Sequence, residues 1–207
     1  MASSTTFSIK AAPGTDIWRK PPSTDVFNAP TSIPPQNQTS SSPLRTKGPL
    51  PSFLSARLSF IGSWKYQYDQ GGLLLSFRRA NFPTTPTKHV GPEKWIKTGV
   101  ELYNGRPRLS TVACDAWADW SVADLPGNQG DWATVLVERD TDVSGTSLWV
   151  YRIDGETGEK VPLREVCWVF GDGDEWEVEV ACMAARPGDV GGELAVEFRD
   201  FEVTWKE

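Results

Sequence analysis

The sequence holds very little of the chemistry that metal and nucleophile sites use. A single histidine, His89, occurs in 207 residues, and it lies in a Pro- and Thr-rich stretch. A nucleophile-histidine-acid triad needs histidine at its centre, and no Gly-x-Ser-x-Gly turn is present, so hydrolases of the triad type are disfavoured. His89 reads as an exposed loop residue. The three cysteines, Cys114, Cys167 and Cys182, are too few and too widely spaced for a disulfide framework, and with one histidine they make no zinc pattern. They read as buried thiols. A contiguous calcium loop is missing too, so neither a metal nor another cofactor is expected.

Long apolar runs are equally scarce. Leu73-Leu74-Leu75 is typical of the longest, which is strand-sized and far short of a membrane span. Lys and Arg number 21 against 27 Asp and Glu, a net charge of −6. No sequence-wide positive field is available to attract a phosphate backbone, so nucleic acid is not an expected partner. Met1 to Ser8 lack the basic segment and apolar core of a secretory signal, and the expected location is cytoplasmic. The acceptor triplet Asn37-Gln38-Thr39 then reads as loop. Apolar residues at i, i+3, i+4 and i+7 are nowhere sustained, and no fixed-period repeat occurs. Helix should be scarce.

What recurs instead is a strand-length run followed by a turn signal. The runs are Thr6 to Ala11, Arg57 to Gly62, Gly72 to Phe77, Lys94 to Tyr103, Arg108 to Cys114, Trp117 to Val122, Trp132 to Arg139, Ser147 to Ile153, Pro162 to Phe170, Glu175 to Ala184 and Glu193 to Trp205. Val, Ile, Leu, Thr and aromatics dominate them, as half-buried pleated surfaces require. The separators, such as Asn104-Gly105, Asp154-Gly155 and Pro187-Gly188-Asp189, tolerate positive φ or preset a turn. This many strands exceed what one open sheet usually carries. The chain therefore reads as all-β, a two-sheet antiparallel sandwich forming a single domain over residues 1–207. Pro, Ser, Thr, Gln and Asn dominate between Pro30 and Pro51, which predicts a loop or lid at about 30–56.

Parity sorts the Lys94 to Tyr103 strand. Successive side chains point to opposite faces, so Ile96, Thr98, Val100 and Leu102 form one set, suited to the core. Trp95, Lys97, Gly99, Glu101 and Tyr103 form the other: a cation and a carboxylate bracketed by rings, with Gly99 leaving room against the backbone. The same strand in an ordinary solvated sheet would also alternate charges and rings. Two further segments favour a site. Tyr68-Asp69-Gln70-Gly71-Gly72 sets a carboxylate and an amide beside a very apolar strand, and Trp117-Ala118-Asp119-Trp120-Ser121 adds tryptophans and another acid. Of the 10 tryptophans, Trp149, Trp168, Trp176 and Trp205 are assigned to the core, while flat rings at a concave face suit sugar rings and other cyclic ligands. Glu175, Glu177 and Glu179 alternate along one strand at about 6.6 Å for neighbours, in the range of paired catalytic carboxylates. Any exposed strand shows the same alternation.

Trp18-Arg19-Lys20-Pro21-Pro22, Phe27-Asn28-Ala29-Pro30, Tyr68-Asp69-Gln70-Gly71-Gly72-Leu73, Trp95-Ile96-Lys97-Thr98-Gly99-Val100-Glu101, Ser110-Thr111-Val112 and Asp119-Trp120-Ser121, taken in order, resemble the regulation-of-enolase protein family. The likeness runs from Phe7 to Phe198-Arg199-Asp200-Phe201. It implies a concanavalin A-like jelly roll, related in fold to lectins and glucanases, and no particular reaction. The stretches Pro30 to Pro51 and Asn81 to Pro92 look longer than the connections usual in that family, as a lid would be.

Three functions follow as alternatives. The leading one is a binding domain, with a possible regulatory role, whose concave face carries Trp95, Lys97, Glu101, Tyr103, Gln70, Asp119 and Trp120 with Asp69 and takes a sugar-like or other small polar-cyclic ligand. In the second, an isomerase, cyclase or glycan-modifying hydrolase, Glu101 or Asp69 would be the general acid or base and Lys97 would stabilise developing negative charge. The third is a protein-interaction module that regulates a metabolic enzyme.

Overall fold

The computed structural model describes residues 6–35, 43–80, 90–127, 131–173 and 175–207. Its strands are β1 (Phe7–Ala11), β2 (Ile17–Lys20), β3 (Thr24–Phe27), β4 (Thr31–Ser32), β5 (Lys47–Pro49), β6 (Phe53–Gly62), β7 (Gln70–Arg79), β8 (Lys94–Tyr103), β9 (Arg106–Cys114), β10 (Ala118–Asp124), β11 (Ala133–Asp142), β12 (Gly145–Ile153), β13 (Lys160–Val166), β14 (Trp176–Ala185) and β15 (Leu194–Trp205). One 3-10 turn, Leu50–Ser52, is the only helical element among the described residues. None of the described helices is long and apolar enough to cross a membrane.

The strands form a two-sheet antiparallel sandwich of the jelly-roll kind. One sheet has the order β1-β15-β6-β11-β12-β13. The other runs β10-β9-β8-β7-β14, and β4 and β5 both pair with the free side of β14. Between the sheets lies one apolar core, with Leu58, Phe60 and Phe198 from the first and Leu73, Leu75, Ile96, Val100, Val178 and Val180 from the second. Parity in β8 follows the sequence reading, since Ile96 and Val100 enter the core. Thr98 also points inward, where its hydroxyl is hydrogen-bonded to that of Thr111 at 2.9 Å, which satisfies both buried groups.

Several elements differ from the sequence reading. The Pro- and Ser-rich stretch is not a lid over its described length. Its two ends, β4 and β5, lie along β14 at Cys182–Met183 and Glu177–Glu179, and β6 begins at Phe53 rather than near Arg57. Composition could not reveal this, because the open edge of β14 supplies the hydrogen bonds that hold such short strands. Residues 36–42 and 81–89, including Asn37-Gln38-Thr39, most of the second proposed lid and His89, lie outside the described residues. The β2–β3 hairpin was also missed, because its turn falls in the Pro21-Pro22 segment that reads as punctuation. Trp168, Trp176 and Trp205 belong to or pack against the core as expected. Trp149 does not: Leu148 and Val150 take the inward positions of β12, and Trp149 stacks beside Tyr151, 6.0 Å between ring centroids.

Candidate functional site

The outer face of the second sheet is not simply solvated. A second apolar cluster of Ile17, Leu74, Trp95, Val112, Cys114, Met183 and Ala185 covers part of it, with Trp18, Phe27 and Trp120 at its margin. The β2–β3 hairpin forms its roof. Arg19, fully buried, fastens that hairpin by donating to Asp25 at 3.1 Å and to the carbonyls of Glu93 and Pro92 at 2.9 and 3.0 Å. A buried guanidinium is tolerable only when its donors are matched in this way.

Beside this cluster opens a cleft of about 690 Å³. Strand register builds its floor. Gln70 of β7 stands opposite Glu101 of β8, and Lys97 stands opposite Val112 of β9, which in turn faces Trp120 of β10. The walls come from Asp16 just before β2, from Trp18 and Lys20 within it, from Gln67 and Tyr68 before β7, and from Pro187 and Gly188 after β14. Gly99 makes the floor possible, because a Cβ there would sit 2.1 Å from the Gly71 carbonyl oxygen. Beside it lies a notch of about 10 Å³ among Gln70, Lys97, Glu101 and Ser110, room for one water-sized group.

The polar groups on this floor are almost fully buried, Lys97 at 5% exposure and Glu101 at 6%. The Lys97 ammonium donates to Gln70 Oε1 at 2.7 Å and to Asp16 Oδ1 at 3.5 Å. Gln70 Nε2 donates to the same Asp16 oxygen at 3.2 Å. On the other side the Ser110 hydroxyl donates to Glu101 Oε2 at 2.8 Å and accepts from Trp120 Nε1–H at 2.9 Å. Burial pushes the Glu101 carboxyl above its ordinary range. Lys97 and the Ser110 bond pull it back in part, and Asp16 adds a further upward push. Aromatic rings frame the mouth: Trp120 meets Trp18 edge-on at 6.2 Å and Tyr68 at 6.3 Å.

Of the residues singled out from sequence, Lys97, Glu101, Gln70 and Trp120 meet in the cleft. The others stand elsewhere. Trp95, 1% exposed, is part of the apolar cluster, with its ring centroid 5.9 Å from the Lys97 ammonium. Tyr103 packs behind Trp120, 4.9 Å away and edge-on, and against Tyr68 at 6.2 Å. Asp69 is fully buried and points away from the cleft into a bidentate pair with Arg186, both bonds 2.8 Å. Asp119 follows strand parity to the side opposite Trp120 and pairs with Arg164 at 2.5 Å. Glu177 is matched by Lys47 at 2.9 Å and Glu175 by Arg79 at 3.6 Å, outside the cleft.

The sequence reading missed Asp16, Lys20, Gln67, Pro187 and Gly188, and gave no site role to Trp18 or Tyr68. A signal did exist for the first wall. From Asp16 to Lys20, Ile17 and Arg19 are buried while Asp16, Trp18 and Lys20 are not, a period-2 pattern too short to rise above the surrounding Pro-rich sequence.

Comparison with known proteins places the chain. The family described as "Protein of unknown function (DUF1349)" matches residues 1–206. The chain belongs to this family. An uncharacterized protein of Emericella nidulans is 42% identical to this DUF1349 chain over 193 residues, 93% of the chain and 82% of that protein. Regulation of enolase protein 1 of Saccharomyces cerevisiae is 30% identical over 156 residues, 74% of this chain and 65% of that protein, in keeping with the resemblance read from the motifs. The crystal structure of a functionally unknown protein from Saccharomyces cerevisiae superimposes with a TM-score of 0.59 at 19% identity, covering 100% of this chain and 93% of that one. At that identity the likeness concerns the fold alone.

Proposed function

We propose that the cleft on the outer face of the second sheet binds a carbohydrate or a closely similar polyhydroxylated ring. The observation that carries this reading is the combination of rings at the mouth with a buried polar floor. Trp18, Tyr68 and Trp120 offer apolar faces, while Lys97, Glu101, Gln70 and Asp16 offer donors and acceptors held in place by one another. Ring stacking then supplies affinity and the floor fixes orientation. A hydroxyl group matches the notch beside Gly99, because it can donate to a carboxyl and accept from an ammonium at once.

A glycan array probed with the purified protein, followed by calorimetric titration of the glycans retained, tests this. Trp18→Ala is expected to weaken binding at least about tenfold, equivalent to about 1.4 kcal/mol, measured at a temperature where circular dichroism shows the variant folded. Retention of no glycan, or unaltered affinity in the variant, would defeat the proposal. A regulatory role toward enolase is the second reading, favoured by the name of the yeast relative. Pull-down of enolase by both wild type and the Trp18→Ala variant would place that role on another surface.

A further inference from the structure

The floor of the cleft holds two carboxyl groups in different settings, and this leads beyond binding. We propose that the protein hydrolyses the glycoside it binds, with Glu101 as the general acid and Asp16 as the carboxylate that receives the proton of the attacking water. This rests on the carbohydrate reading above and adds a reaction to it.

Asp16 and Glu101 are the two carboxylate residues among the described cleft-lining side chains. Each has one oxygen occupied and one left over. Glu101 Oε2 takes the Ser110 hydroxyl, itself fixed by the Trp120 indole N–H, while no hydrogen bond is made to Oε1 by any described residue. Asp16 Oδ1 takes the Ile17 amide at 2.7 Å, the Gln70 amide at 3.2 Å and the Lys97 ammonium at 3.5 Å. Its Oδ2 accepts none of these. Both residues line one cleft, and Gln70 and Lys97, bonded to each other and to Asp16, line it with them. A pair of carboxyl groups in unlike environments, one a proton donor and the other an acceptor, is the arrangement that acetal cleavage uses. Burial pushes the Glu101 carboxyl above its usual range, the direction that favours a proton donor over a proton acceptor. Lys97 and Gln70 act as positioning residues, since they hold Asp16 rather than the scissile bond.

The step balances with water alone. Glu101 gives its proton to the glycosidic oxygen as the bond from the anomeric carbon to that oxygen breaks, the electron pair staying with the oxygen. Water forms the new bond to the anomeric carbon, and its proton passes to Asp16. Two free saccharides result for one water consumed, and solvent returns each carboxyl to its starting state.

The test follows the glycans retained on the array, together with 4-nitrophenyl and 2,4-dinitrophenyl glycosides of their terminal sugars, by proton NMR for a new reducing end and by absorbance for the released phenol. Wild type is expected to cleave both kinds. Glu101→Gln should slow the 4-nitrophenyl substrate at least 100-fold and recover most of its rate on the 2,4-dinitrophenyl substrate, whose leaving group needs no proton. Asp16→Asn should slow both substrates without recovery. A retained glycan that stays intact would overturn the hydrolysis and leave the binding reading standing. A Glu101→Gln variant that is unslowed, or is slowed equally on both substrates, would overturn the role of Glu101. Retention of no glycan together with cleavage of no glycoside would remove both readings.

Discussion

Replacing Asp69 by asparagine should be one of the costliest single-atom changes in this protein. Asp69 is fully buried. Its Oδ1 accepts from Arg186 Nε, and its Oδ2 accepts from Arg186 Nη2 and from the amides of Lys65 and Tyr66, with distances of 2.8, 2.8, 2.9 and 2.9 Å. An asparagine keeps one oxygen and sets an NH₂ group against at least one of these donors. Arg186, itself 4% exposed, then loses its counter-charge, although it still donates to the Gly192 carbonyl and stacks over the Tyr66 ring at 4.8 Å. Breaking one side of a buried pair costs about 3–5 kcal/mol. At about 2–4 °C per kcal/mol for a chain of this length, Asp69→Asn should lower Tm by about 6–20 °C. The damage should also reach the cleft, because the pair ties the Gln67–Tyr68 wall to the segment leading into the Pro187–Gly188 wall. Thermal and urea unfolding followed by circular dichroism measures this. The double variant Asp69→Asn/Arg186→Met should recover part of the loss, since it no longer strands a buried cation. A single variant melting within about 2 °C of wild type would refute the reasoning and return Asp69 to the position of a dispensable acid.

Other expectations follow from the same geometry. Gly99→Ala drives a Cβ to 2.1 Å from the Gly71 carbonyl oxygen, so β7 and β8 must part, at a cost of about 1–3 kcal/mol by urea unfolding; a wild-type midpoint would contradict this. In a native thiol titration only Cys167 should react promptly, because Cys114 and Cys182 are buried, burial pushing the Cys114 thiol up to about 11 and that of Cys182 upward too. Prompt labelling of a second thiol would show the sheet to be looser than described. The Glu101 carboxyl is held above its ordinary range by burial, so the folded chain binds that proton more tightly than the unfolded one. Its stabilising contribution is complete below the unfolded value of about 4.3 and is lost as pH rises through the folded value. The stability of wild type relative to Glu101→Gln should therefore fall as pH rises from about 4, and a pH-independent difference would show that Glu101 titrates as if exposed.

The fold was more legible than the site, and particular residues show why. Parity alone assigned Ile96 and Val100 inward and Lys97 and Glu101 outward, because a strand obeys a local rule. Parity says which face a residue takes but not what lies over that face. Trp95 therefore looked like a ligand platform, although the β2–β3 hairpin and Ile17 cover that end of the sheet. Asp69 carried a motif, yet the partner that decides its role, Arg186, is 117 residues away. Asp119 was grouped with Trp120 by proximity in sequence, against the alternation that separates them. Asp16 was invisible because its importance comes from Lys97 and Gln70, distant strand residues that the fold brings to it.

The most direct measurement is a crystal structure of the protein soaked with a glycan retained on the array. A sugar ring lying against the faces of Trp18 and Trp120, with hydroxyls reaching Lys97 and Glu101 and one seated beside Gly99, is the predicted result. A glycan held instead on the Trp149–Tyr151 surface of the other sheet, with nothing in the cleft, would contradict the account.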